Sequence, residues 1–117
     1  MEQWRPVPND SRYEVSDHGR IRRLYKTRGP RVLSPAPNDD GYLKVSLGRA
    51  RQEYVHRLVA LAFHGTPLDP GMTVDHIDFK ITHNHARNLR WLTLAQNAAR
   101  HEAWELEHMW HGRRRTA

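Results

Sequence analysis

The sequence predicts an α+β fold: a small antiparallel β-module, then a helix, then a strand, a long loop, a second strand and a C-terminal helix. Three observations predict it. Residues 1–53 break into short alternating runs separated by turn residues. "YVHRLVALAFHG" carries apolar residues at helical spacing. "TLAQN", after two strand-like runs, has the chemistry of a helix start. At 117 residues the chain suffices for one body with a modest core. It divides into a β-rich module (1–53), a helix-plus-hairpin core (54–101) and a helical basic tail (102–117).

In the first segment "RYEVS", "RIRRLY", "RVLSP" and "YLKVSLG" read as strands, and "DHG", "TRGP" and "NDDG" as turns. Period-two geometry turns Leu43, Val45 and Leu47 to one face and Tyr42, Lys44 and Ser46 to the other. The same alternation sets Arg20 and Arg22 opposite Ile21, with Arg23, Lys26, Arg28, Arg31, Arg49 and Arg51 nearby. In the next segment Val55, Leu58, Val59, Ala62 and Phe63 form a helical stripe for the core, and Gly65 ends the helix. His56 and Arg57 fall off that stripe at its start. "TPLDPG" is a rigid connector. "MTVDH" and "LRWLT" are strands, Thr93 and Gln96 form a capping box, and the helix from Leu94 presents Ala95, Ala99, Ala103, Leu106 and Trp110 up to Gly112. Trp4 reads as a plug at the start of the chain, and Trp91 as core. Trp104, Met109 and Trp110 either pack back on the β-module or form a dimer contact.

Nineteen Lys and Arg against thirteen Asp and Glu give a formal charge of +6, which favours a polyanionic partner. No apolar run is long enough to span a bilayer, and the start of the chain lacks a signal-peptide layout, so an intracellular, cytoplasmic protein without a membrane partner is expected. The absence of cysteine removes thiolate metal sites, disulfides and cysteine nucleophiles together.

The informative stretch is "VDHIDFKITHNHARNLRWLT", residues 74–93, which holds two aspartates, three histidines and two asparagines. Its loop is too long for a tight hairpin turn. Adjacent strand residues point to opposite sides, so Asp75 and His76 suit divided roles. The Asp75 carboxylate and the Asn97 amide oxygen are hard ligands, suited to Mg²⁺ or Mn²⁺ rather than zinc. A neutral His76 can take a proton from water, and Asn88 is placed to bond across the neck of the loop and fix that ring. Asp78 and Asn84 are expected to tie the loop to its own backbone. His83 and His85 receive no role.

The order Asp75-His76, Asn88, Asn97 resembles the HNH endonucleases of the ββα-metal fold, most closely the phage and intron-associated homing type. "VHRLVALAFHG", "VDHID", "NLRWLT" and "QNAARH" share the likeness. "WRPVP", "YEVSDHGRIRRL" and "GYLKVSLG" resemble the small DNA-contacting module that often precedes this core. The resemblance implies a metal-dependent DNA endonuclease in which Asp75 and Asn97 hold Mg²⁺ (or Mn²⁺), His76 is the general base and Asn88 orients it. Cleavage leaving 5′-phosphate and 3′-hydroxyl ends is implied too, on double-stranded DNA, by a monomer or homodimer in a phage-infected or bacterial cell. His101, one turn beyond Asn97, is a possible outer-shell group. Arg20, Arg22, Arg23, Lys44 and Arg57 are the candidate DNA contacts. The alternatives are a catalytically silent DNA-binding or regulatory module, and a DNA-packaging partner built on the same fold.

Overall fold

The structure is a computed structural model that describes the backbone of residues 1–49 and 51–116, and side chains through residue 107 except residue 50. Expectations that concern the side chains of Met109, Trp110 and the arginine tail lie outside the described residues. Strands β1 (Trp4–Val7), β2 (Asp10–Ser16), β3 (Ile21–Arg23) and β4 (Arg31–Val32) form one sheet in that order. Strands β5 (Ala36–Pro37), β6 (Leu43–Ser46) and β7 (Gln52–Tyr54) form a second. The β-module is therefore two small sheets. Helix α1 (Val55–His64) follows, then β8 (Thr73–His76), a 3₁₀ turn (Ala86–Asn88), β9 (Leu89–Leu92) and helix α2 (Leu94–Thr116). The α+β order expected from the sequence is the observed one. Among the described residues no helix is long and apolar enough to cross a membrane.

One core joins the sheets to the hairpin. Val7, Tyr13, Val15 and Ile21 come from the first sheet, Val45 and Leu47 from the second sheet and the turn after it, Val55, Leu58 and Val59 from α1, and Ala86 and Leu89 from the loop return. Val15, Val55 and Val59 are fully buried, and burying each such side chain stabilises the fold by about 1.5–3 kcal/mol. Ala62 and Phe63 of the predicted stripe pack against the edge of this core. Helix α1 is thus the wedge from which both halves hang. Its end is held by polar contacts too: Arg5 donates to the Ala62 carbonyl, Trp91 Nε1 donates to the Gly65 carbonyl, and His64 Nε2 meets the Ala86 carbonyl at 2.6 Å. Trp91 is half-buried by that bond rather than enclosed in the core.

Antiparallel pairing sets Asp75 opposite Arg90 and His76 opposite Leu89. Helix α2 starts with the predicted capping box, since Gln96 N donates to Thr93 Oγ1 at 3.0 Å and Thr93 N to Gln96 Oε1 at 2.9 Å. It continues through Gly112, where the sequence suggested an end. An interior glycine costs a helix about 1 kcal/mol relative to alanine, too little to stop it unaided. Trp104 reaches the Phe79 ring of the hairpin loop, 5.7 Å between centroids.

The β2–β3 turn braces the hairpin loop. The Ala86 amide donates to the Asp17 carbonyl at 2.7 Å, and Gly19, at φ +89, lies so close to Asn84 that a Cβ would sit 2.8 Å from its carbonyl oxygen. Gly19→Ala is expected to lose about 1–3 kcal/mol by urea denaturation, from the left-handed backbone and the clash together. Gly65→Ala, at φ +77 with nothing within 4 Å, should lose only the backbone share. Equal losses at the two positions would mean that the turn does not press on the loop.

Candidate active site and its loop

Asp75 and His76, the last two residues of β8, are 4% and 5% exposed. Although a regular strand would turn them to opposite faces, both line a small cavity of about 70 Å³ with Tyr42, Phe79, Asn97 and His101. The chain leaves the strand there: the Phe79 amide bonds back to the His76 carbonyl, and Phe79 adopts φ +63. Helix α2 brings Asn97 one turn past its cap residue Thr93, with the Asn97 backbone N–H donating to the Thr93 carbonyl at 2.9 Å. The Asn97 Oδ1 is buried and has no hydrogen-bond partner among the described residues. An orphaned amide oxygen beside a buried carboxylate is a hard-ligand pair, and it fits a divalent cation of the magnesium class. His101 lines the same cavity and stacks edge-on against Phe79.

Arginines surround Asp75. Arg90, its cross-strand partner, donates Nε to Oδ2 at 3.0 Å, and Arg100 from α2 donates Nε to Oδ1 at 3.1 Å. Arg100 also donates to the carbonyls of His76 and Ile77, and its guanidinium lies 4.0 Å from the Phe79 ring centroid. A buried carboxylate requires such partners, and the pairing marks Asp75 as the local centre of negative charge. The sequence reading missed Arg90 and Arg100. The strand register could have found Arg90, and helical spacing puts Arg100 three residues after Asn97.

The bond across the neck expected of Asn88 is present, but the contact with the His76 ring comes from Asn84. His76 Nε2 bonds to Oδ1 of Asn84 at 2.8 Å. In this amide orientation Oδ1 accepts, and Nε2 is the ring nitrogen that faces it. Asn88 does not touch the ring. Its Oδ1 accepts from the Asp78 amide at 3.2 Å, and its Nδ2 donates to Asp78 Oδ1 at 3.0 Å and to the His83 carbonyl at 2.8 Å. So Asn88 closes the neck of the loop, and Asn84 orients the histidine. His83 also gains a part, with its Nδ1 2.6 Å from Asp78 Oδ2. That contact, with bonds from the Lys80 amide and Asn88, holds the Asp78 carboxyl well below the usual carboxylate range.

The five cationic candidates are not gathered in one place. Arg20 is bound by Glu2 and Arg22 by Glu14, and both guanidinium groups lie over the Trp4 ring, at 5.4 and 3.9 Å. Trp4 is thus a platform for arginines, not a plug. Arg23 packs on Tyr13 and Tyr25, and Lys44 lines a separate groove by β5. Arg57 alone of the five lines the groove that adjoins Asn97. A second metal-capable group lies across the loop: Asp17, His18 and His85 place ligand atoms within 4.8 Å of one another. Its two imidazoles and one carboxylate suggest a metal site of softer preference than Asp75 and Asn97. Residues 17 and 85 belong to elements far apart in the sequence, which hid the cluster.

Comparison with known proteins matches residues 2–48 to the NUMOD4 motif and residues 53–99 to the HNH endonuclease family model. Two uncharacterized HNH endonucleases of Acanthamoeba polyphaga mimivirus are similar: one is 33% identical over 99 residues, the other 34% identical over 102. Those alignments cover 82% and 80% of this chain but only 29% and 24% of the viral proteins, so the chain spans less than a third of either. The solved structure of the HNH homing endonuclease I-HmuI, a study of its DNA binding and cleavage, superposes with a TM-score of 0.71 at 29% identity. It covers 94% of this chain and 59% of that one.

His56 supplies a pH signature for this region. Burial first, then the neighbouring charges of His76 and Arg57, pushes its imidazole from 6.5 down to about 4. The unfolded chain therefore binds the proton more tightly, so this contribution to stability is full above about pH 6.5 and drains as the pH falls toward 4. Between pH 7 and 4.5 the wild type is expected to lose on the order of 2 kcal/mol more than His56→Gln in urea titrations. Parallel pH profiles for the two proteins would contradict this assignment.

Proposed function

The chain belongs to the HNH endonuclease family and carries a NUMOD4-like N-terminal module, and from that premise we propose that it is a metal-dependent endonuclease that hydrolyses DNA phosphodiester bonds. The observation that carries the proposal is the convergence of Asp75, His76 and the unpartnered Asn97 Oδ1 on one cavity. The DNA binding and cleavage of I-HmuI, together with this chain's basic charge, favour double-stranded DNA of the homing-endonuclease type as substrate.

Asp75 and Asn97 would hold the cation, with Mg²⁺ the best match to two oxygen ligands and Mn²⁺ the next. When bound, that ion supplies positive charge to the scissile phosphate and stabilises charge building on the phosphoryl and 3′-oxygens. The rest falls to the chain. Asn84 keeps the Nε2–H tautomer of His76, which leaves Nδ1 to accept the proton of the attacking water. Asn88 and Asp78 keep the loop closed, so that Asn84 stays beside the ring. Arg90 and Arg100 both pair with Asp75, and at least one would have to loosen its grip for an ion to share that group.

Wild type is expected to convert supercoiled plasmid to nicked or linear forms with Mg²⁺ or Mn²⁺ and to remain inactive in EDTA. His76→Ala should lower the cleavage rate by about 10²–10⁴-fold without loss of DNA binding. Undiminished cleavage by this variant would refute the role of the base. Asn84→Ala should slow cleavage by roughly 10–100-fold at normal stability. Asn88→Ala should instead lower the denaturation midpoint, because it opens the loop. A reversed pattern would restore Asn88 as the residue that orients the ring.

A further inference from the structure

Five buried side-chain polar atoms lack a hydrogen-bond partner among the described residues: Arg23 Nη1, His56 Nδ1, Thr73 Oγ1, Asn84 Nδ2 and Asn97 Oδ1. Buried polar groups are nearly always paired, so their distribution carries information. Three of the five, on His56, Thr73 and Asn97, belong to residues lining a single groove of about 390 Å³. That groove shares Tyr42, Val74 and Asn97 with the cavity of Asp75 and His76, so the two form one continuous depression. Asn97 Oδ1 is accounted for by the cation, while His56 and Thr73 leave hydrogen-bonding capacity along the depression that a polar ligand would meet.

The walls indicate which ligand. The His56 ring is wedged among the rings of Tyr42, Tyr54 and His76, at centroid distances of 5.3, 5.2 and 5.2 Å. Packing therefore fixes its direction although no hydrogen bond does. Burial keeps it neutral at physiological pH, so it offers an N–H rather than a charge. The charge comes from the next residue. Arg57 lines the groove, is exposed, and makes no ion pair with a carboxylate among the described residues; its contact is with the Trp91 ring at 5.7 Å. By contrast, Arg20, Arg22, Arg90 and Arg100 are each paired to an acid. Tyr42 and Tyr54 offer flat apolar surface, with the Tyr54 hydroxyl accepting from Asn38 Nδ2 at 3.0 Å. Asp40 also lines this groove and would repel an anion on its own side, which confines the anion to the Arg57 side.

We propose that this groove seats the deoxynucleotide next to the scissile phosphate, with Arg57 paired to its phosphate, His56 donating a hydrogen bond to the same strand, and the sugar against Tyr42 and Tyr54. The assignment rests on the reading of Asp75 and His76 as the hydrolytic site. His56 is a binding residue here, and proton transfer belongs to His76. Two helix-start residues thereby set where the strand lies relative to the base, a function that a basic surface spread over the β-module cannot perform.

The test uses a duplex in which single phosphates are replaced, one position at a time, by neutral methylphosphonates. Binding is read first, with the full-length His76→Ala protein in EDTA, so that neither metal nor turnover is needed. One methylphosphonate position should weaken binding about tenfold. Arg57→Gln in the same background should weaken binding to unmodified DNA by a similar factor and become insensitive at that position. Additive losses, or Arg57→Gln binding like its parent, would overturn the proposal. Cleavage by otherwise wild-type protein then locates that phosphate: it should adjoin the cut, and His56→Gln should raise KM with little change in kcat. A sensitive phosphate several nucleotides from the cut would also overturn it. If wild type binds with this pattern but cleaves nothing under Mg²⁺ or Mn²⁺, the hydrolytic reading fails and only the nucleotide subsite survives.

Discussion

The side-chain amide of Asn88 closes the hairpin loop upon itself. One amide accepts from the Asp78 backbone and donates to both the Asp78 carboxylate and the His83 carbonyl, while the Asn88 carbonyl takes the Ile77 amide at 2.8 Å. A loop of this length would otherwise sample many conformations, and ordering each residue costs about 1–2 kcal/mol of backbone entropy. Several bonds to one buried group offset part of that cost, and Asp78, ionised well below the usual range, strengthens them. The position of Asn84, and through it the tautomer of His76, follows from this closure. The β-module supports it from outside through the Asp17 carbonyl and the close approach of Gly19. Residues of the loop neck thus decide which ring nitrogen of His76 meets Asn84.

Electrostatics in the site has the opposite character, held in tension rather than satisfied. Asp75 is almost completely buried and shared by two guanidinium groups, whereas Asn97 Oδ1 beside it has none. A buried carboxylate with no cation is strongly disfavoured, which explains Arg90 and Arg100. A buried carbonyl oxygen without a donor is unfavourable by about 1–3 kcal/mol, and no donor among the described residues relieves it. Cations available to the chain itself satisfy the charged ligand and leave the neutral one unmet. A divalent ion would satisfy both, because it needs oxygen ligands regardless of formal charge.

Local patterns in the sequence were translated faithfully. Thr93 and Gln96 form the capping box that three-residue spacing requires, and the stripe of α1 lies on the core because helical period leaves no other choice. Loop contacts obey no period. Asn84 and Asn88 are the same residue type four positions apart, and only the turn at Phe79 and the 3₁₀ turn decide which amide meets the His76 ring. Partners distant in sequence were equally hidden. Glu2 and Glu14 neutralise Arg20 and Arg22, so a strand that reads as a basic surface is partly compensated. The juxtaposition of Asp17 and His18 with His85 depends on packing between the module and the hairpin.

The placement of α1 explains how unmet polar groups persist near the site. Val55, Leu58 and Val59 anchor one face of the helix in a core drawn from both sheets and the hairpin. On the other side of the same turn, His56 is wedged among the rings of Tyr42, Tyr54 and His76, and Arg57 lines the groove. The anchored helix therefore presents these two residues to the groove. Because α1 also bears on the hairpin through the His64 contact to Ala86, a substitution on its buried face should disturb the loop as well as the groove. The groove and the His76 loop share one mechanical support.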